Sequence, residues 1–115
     1  MYVDGYVVPV KTVNREAYRK MAADAAKVWK EHGALAVVEA WGDDVPDGEV
    51  TSFPMAVKLE PGEAVVFSWV AWPSKEARDA GNAKVMADPR MQPSGEEPFS
   101  MQRIIFGGFQ PIVEA

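Results

Sequence analysis

The sequence predicts an α+β fold of the ferredoxin-like type, a four-stranded antiparallel sheet with two helices on one face. Its apolar segments follow the order βαββαβ, which is the split βαβ arrangement. Its strands are apolar on both sides, whereas its helices carry one apolar stripe each. At 115 residues the chain has the size of a single domain spanning 1–115.

The first strand is the valine-rich run Tyr2 to Val8. A helix from Arg15 to His32 follows, with Asn14 placed to cap it, Val13 and Tyr18 at the two positions of a hydrophobic staple, and Gly33 as its stop. The apolar stripe is Tyr18, Met21, Ala25, Val28 and Trp29, and His32 comes next on it. Leu35 to Trp41 forms the second strand, the polar segment Gly42 to Gly48 turns the chain, and Met55 to Leu59 is expected to extend a strand edge. The third strand, Ala64 to Trp72, loads both faces with Val65, Val66, Phe67, Trp69, Val70 and Trp72, so it belongs in the centre or under double cover.

Ser74 caps a second helix, Lys75 to Ala87. Asp88-Pro89 ends that helix, because the residue before a proline avoids the α region. Residues 89–100 carry three prolines and read as an irregular excursion over the surface. The last strand, Ile104 to Val113, contains Gly107-Gly108, a pair that marks a bulge or the close approach of another group.

Hydrophobic residues make up 48% of the chain and charged residues 25%, a globular composition that excludes disorder. The net charge of −5 leaves no positive field to neutralise phosphates, so no nucleic-acid partner is expected. The basic residues Arg15, Arg19, Lys20, Lys27 and Lys30 of the first helix are interleaved with Glu16, Asp24 and Glu31 at ion-pair spacings, which makes that face a solvated one. With no cysteine and a single histidine, no disulfide, thiolate site or structural zinc is expected. Nor does the acidic turn fit a calcium loop: counted from Asp43, position three is Val45 and position twelve is Pro54. No cofactor and no metal are expected. No leader-like segment and no apolar run near the ~18 residues of a membrane span appear, so the expectation is a cytoplasmic protein with no membrane partner.

The face of the sheet away from the helices needs cover of its own. Alternate apolar residues from four strands exceed what a soluble monomer leaves bare. A second copy is the simplest cover, so a homodimer with sheets packed face to face is expected, burying ~800 Å² or more per partner.

The second helix suggests a site. With Val85 facing inward, the same side presents Arg78, Gly81 and Asn82, flanked by Ala77. Small and polar side chains there would leave a cavity lined by Arg78 and Asn82. In the competing structural reading, Gly81 allows close packing and Arg78 pairs with a carboxylate. His32 is the candidate general acid or base, set against a role in capping the helix and packing on a tryptophan. Trp41, Trp69 and Trp72 are candidate walls of an aromatic cavity, set against core or dimer-interface packing. Asp4, Tyr6 and Glu39 place polar groups inside strands, where a carboxylate needs a partner such as Arg78 or Arg103. Phosphate loops, nucleophile elbows and metalloprotease helices are all missing.

The segments Tyr2-Val3-Asp4-Gly5-Tyr6-Val7-Val8-Pro9-Val10, Trp29-Lys30-Glu31-His32-Gly33-Ala34-Leu35, Gly42-Asp43-Asp44-Val45, Thr51-Ser52-Phe53-Pro54, Val66-Phe67-Ser68-Trp69 and Asn82-Ala83-Lys84-Val85-Met86-Ala87-Asp88-Pro89-Arg90 resemble the YbaA-like family of small uncharacterised bacterial proteins. The resemblance covers nearly the whole chain. It implies a dimeric α/β barrel, a ferredoxin-like dimer shared with antibiotic-biosynthesis-type monooxygenases and several ligand-binding modules. It implies no established activity and no catalytic residues. Two functions follow as expectations. In the first, each protomer holds a small apolar or aromatic molecule between sheet and helices, with His32, Arg78 and Asn82 as polar contacts, for cofactor-independent oxygenation or isomerisation. In the second, a non-enzymatic module docks another protein through the surface around Asp43, Asp44 and Arg90.

Overall fold

The computed structural model describes residues 1–115. Its strands are β1 (Tyr2–Lys11), β2 (Ala36–Trp41), β3 (Glu63–Trp72) and β4 (Ile105–Phe109), and its helices are α1 (Arg15–Glu31), α2 (Phe53–Ala56) and α3 (Lys75–Ala87). The strands form one antiparallel sheet in the order β2-β3-β1-β4. α1 and α3 pack on the same side of that sheet, as the expected α+β arrangement requires. No helix is long and apolar enough to cross a membrane.

Strand register sorts the residues by face. On the helix side stand Asp4, Tyr6, Val8 and Val10 of β1, Val66, Ser68, Val70 and Trp72 of β3, and Val37, Glu39 and Trp41 of β2. One end of this layer buries Val8, Val10 and Val66 against Tyr18 and Ala22 of α1. At the other end Trp72 is fully buried among Ala34, Val70 and Trp29, its ring edge-on to that of Trp29.

Several local expectations meet a different outcome. Asn14 makes no side-chain cap, because a 3-10 turn at Thr12–Asn14 leads directly into α1, and Val13 points to solvent, so no staple forms. The segment expected to extend a strand edge at Met55 to Leu59 instead enters from a short helix that Ser52 caps by accepting the Met55 N–H, with Pro54 in its first turn. β4 ends at Phe109, short of the predicted Val113, just before Gln110-Pro111; proline has no N–H to offer a ladder. No bulge interrupts the β1–β4 ladder at Gly107-Gly108. Gly108 marks a close approach: a Cβ there would lie 2.4 Å from the Tyr2 hydroxyl and 2.6 Å from Arg78 Nη2. Ser74 does cap α3, accepting the Ala77 N–H at 3.1 Å, and Gly33 takes a positive φ of 108° after α1.

The space expected beneath α3 is filled. A Cβ on Gly81 would lie 2.3 Å from the Trp72 ring and 2.7 Å from the His32 carbonyl oxygen, so the missing side chain is what lets helix and tryptophan meet. Gly81→Ala should therefore destabilise the protein by about 2 kcal/mol through overpacking. Urea titration checks this, and an unchanged midpoint would mean that α3 stands further off the sheet.

Candidate functional site

On the helix side the predicted carboxylate partnership forms around Asp4, which is 4% exposed. Arg78 donates to it from Nε at 3.0 and 3.2 Å and from Nη2 at 2.8 Å, and Trp72 Nε1 donates at 3.1 Å. Asn82 Nδ2 approaches the same carboxylate at 3.4 Å, while its Oδ1 is buried without a partner. The guanidinium also lies 5.1 Å above the Tyr2 ring. Hydrogen bonds to Asp4, then to Asp79, hold the Arg78 pKa above its ordinary value. Arg78 and Asn82 thus come together as expected, but on a carboxylate and beside Trp72 rather than around an open cavity.

One row further along, the layer changes character. Phe106, Tyr6, Ser68 and Glu39 stand opposite one another across all four strands. Tyr18 of α1 reaches down to this row and donates to Glu39 Oε1 at 2.6 Å. Neither arginine proposed for Glu39 serves it, since Arg78 is bound to Asp4 and Arg103 to Glu63 at 2.6 Å. Glu39 is exposed as a residue, yet the packing around its carboxyl removes enough water to raise its pKa, and hydrogen bonds from Tyr18 and Ser68 oppose that rise only in part. Burial, then the charge of Asp4, pushes the Tyr6 hydroxyl up to about 12, so it stays protonated. Around these groups the walls are aromatic: Phe106 stacks with Tyr6 at 6.2 Å, and Phe99 meets Tyr18 edge-on at 6.0 Å.

His32 lies apart from this row. Its Nε2 is 3.1 Å from Asp88 Oδ2 at the end of α3, where Arg90 binds both Asp88 and Glu31. Arg90, with its backbone N–H and His32, holds the Asp88 carboxyl well below the usual range. The imidazole therefore helps tie the two helix ends together.

The tryptophans separate. Trp41 faces the helix side with the Arg15 guanidinium 5.2 Å over its ring, and it also edges a hollow of about 310 Å³ with Asp43, Asp44, Phe53 and Phe67. Trp69 belongs to the opposite face. There Val3, Gly5, Phe67, Trp69, Ile105 and Phe109 contribute to an apolar basin of about 650 Å³. α2 and the turn after it cover one corner, where Val57 packs on Val7 and Val65. The rest lies open, with Phe67 44% and Phe109 62% exposed.

Ser68 and Tyr18 are the site residues that sequence reasoning passed over. A signal existed: Ser68 interrupts the apolar run of β3, Glu39 interrupts that of β2, and antiparallel register pairs them. The partner of each required the positions of the strands in space.

A four-stranded antiparallel sheet with helices on one side defines a small α+β fold similar to that of NIPSNAP-domain structures. An uncharacterised NIPSNAP domain protein from Burkholderia xenovorans superposes with a TM-score of 0.62 at 15% identity, covering 100% of this chain and 98% of that one. The protein Rv0793 from Mycobacterium tuberculosis gives 0.59 at 14% identity, with 99% and 97% covered. Residues 1–101 match the family described as a protein of unknown function, DUF1428, and the chain belongs to that family. Relatives described as uncharacterized protein YbaA in Escherichia coli K12 and in Shigella flexneri are 58% identical over 114 residues, with 98% of this chain and 97% of theirs covered.

Two predictions follow from the site. Arg78→Met strands the Asp4 charge in the core and should cost about 3–5 kcal/mol, part of which Asp4→Asn in the same chain restores; urea titration of the single and double variants checks the order. For Glu39 the folded pKa lies above the unfolded one, so the folded state binds the proton more tightly and loses stability as pH rises through that interval. Glu39→Gln should thus gain on wild type between pH 4 and pH 7, and urea midpoints that differ equally at both pH values would contradict the assignment.

Proposed function

We propose that this protein is a homodimeric binder of small, uncharged apolar or aromatic molecules. Two copies close the bare sheet faces on each other, and each protomer takes its ligand along the helix-side row of Tyr6, Ser68 and Glu39. The observation that carries the binding reading is that row. Ser68 is buried, but Glu39 stands exposed at the edge strand with the Tyr18 hydroxyl on its carboxyl, so that end of the row opens to solvent with polar groups set against aromatic rings. The two guanidinium groups that reach this side are committed, Arg78 to Asp4 and Arg15 to the Trp41 ring, which disfavours an anionic ligand.

The dimer reading rests on the basin. Its lining carries no charged side chain, although the chain as a whole has a net charge of −5. Identical faces of that kind meet without repulsion, and a two-fold axis makes them self-complementary. A protein partner other than a second copy is the rival reading, favoured by the same exposed Phe67 and Phe109.

Sedimentation equilibrium at micromolar concentration should give the mass of two chains, and Phe67→Asp with Phe109→Asp should give one; a monomeric wild type would hand the face to the rival. For the ligand, thermal-shift screening of uncharged aromatic ketones should raise Tm, with about 2.7 kcal/mol of added stability at a concentration 100 times Kd. That shift should shrink in Tyr6→Phe. No shift with any compound would remove the binding reading.

A further inference from the structure

We propose that the hollow at the C-terminal end of β2 is a separate binding site, which takes a small methylated ammonium ion of the choline type. None of the residues of the polar row lines it, and it shares with the sheet-face basin only Phe67, so it depends on neither reading above.

Two aromatic rings make the corner of the hollow. Phe53 and Phe67 stand edge to face, with centroids 5.8 Å apart and planes at 88°, and nearly half of each is exposed. Ser52 fixes the first at the start of α2 by accepting the Met55 N–H at 3.1 Å, and β3 carries the second. The turn after β2 closes another side. There the Gly42 N–H donates to the Val65 carbonyl at 2.8 Å, and a Cβ on Gly42 would lie 2.7 Å from that oxygen. The glycine thus lets the turn press on β3, which sets Asp43 and Asp44 at the rim of the hollow. The corner is formed before any ligand arrives, so binding spends little on ordering it.

The two carboxylates are exposed, and every ion pair of the chain joins other residues. Arg15 is held over the Trp41 ring on the helix side and pairs with neither. A ligand here must therefore suit phenyl rings and carboxylates at once. Anions are repelled by both aspartates and by the net charge of −5. A hard metal ion wants several oxygen ligands, and no third carboxylate or histidine is gathered with these two. A primary ammonium is strongly hydrated and would lose that water against phenyl rings. A methylated ammonium spreads its charge over N-methyl groups that pack on ring faces, where the aromatic quadrupole attracts them, while the carboxylates draw it in from a distance. The volume of about 310 Å³ lies at the lower end of the ~300–1,000 Å³ of ligand pockets, which suits one free molecule of choline's size.

Amide NMR of the isotope-labelled full chain, titrated with choline and with its uncharged carbon isostere 3,3-dimethylbutan-1-ol, tests the site directly. Choline should shift the signals of Asp43, Asp44 and Phe53 saturably, with a Kd on the order of 1 mM, and the isostere should bind about tenfold more weakly. Asp43→Asn with Asp44→Asn changes only exposed side chains, so the rest of the spectrum should stay in place. That double variant should weaken choline about threefold and leave the isostere unaffected. Phe53→Leu should weaken choline more than the isostere, because only the cation uses the ring face. Phosphocholine, which brings a phosphate beside two aspartates, should bind more weakly than choline. Choline that shifts no signal around the hollow, or an isostere or phosphocholine that binds as tightly as choline, overturns the assignment. The polar row and the dimer face are read by thermal shift and sedimentation, so their failure and the failure of this site are told apart.

Discussion

Two helices shield one side of a four-stranded sheet, and the strands of this chain are apolar on both. That mismatch organises the molecule. The helix side can afford polar groups because α1 and α3 bring partners to them, whereas the bare side has only one corner covered by its own chain and otherwise presents aromatic rings to water. Exposed apolar area of this kind is rare on soluble proteins that act alone. The proposed face-to-face dimer resolves it with no additional component.

On the helix side, a buried carboxylate governs the position of α3. Asp4 needs a cation at its depth, and Arg78 supplies it from the first half of α3 while Asn82 approaches from the next turn. The helix is drawn down until Gly81 meets Trp72, which removes the volume that small residues on a helix face would otherwise leave. Removing either member of such a pair costs far more than the pair contributes, so the network acts as a register pin more than as a source of stability. With α3 seated this way, the polar row of Tyr6, Ser68 and Glu39 becomes the place where function is sought.

The element order, the antiparallel sheet and the span of α3 were legible because each has a local cause: a valine-rich run, a serine cap, a proline stop. Single-sided helices and double-sided strands also made the bare face legible. The segment after Ser52 was misread as strand edge because its apolar residues are too few to show a period, and Pro54 decides for a helical first turn. For the site, residue type was legible and partnership was not. A carboxylate in a strand announces that it needs a partner; whether Arg78 serves Asp4 or Glu39 depends on which row of the sheet α3 crosses. His32 and Asp88 are 56 positions apart, and only the meeting of two helix ends joins them.

In the proposed dimer the bare face meets its own copy, and the absence of cysteine makes one measurement of that direct. Lys27 is exposed on α1, half a turn away from the buried stripe, so Lys27→Cys accepts a single spin label without disturbing either face. Double electron–electron resonance on that variant should show one distance between protomers. Sheets packed ~10 Å apart with their helices outermost put the labels on the order of 35–45 Å from each other. A distance under roughly 25 Å, the signature of helix-to-helix contact, would contradict the account, as would a sample with no dipolar signal at micromolar concentration.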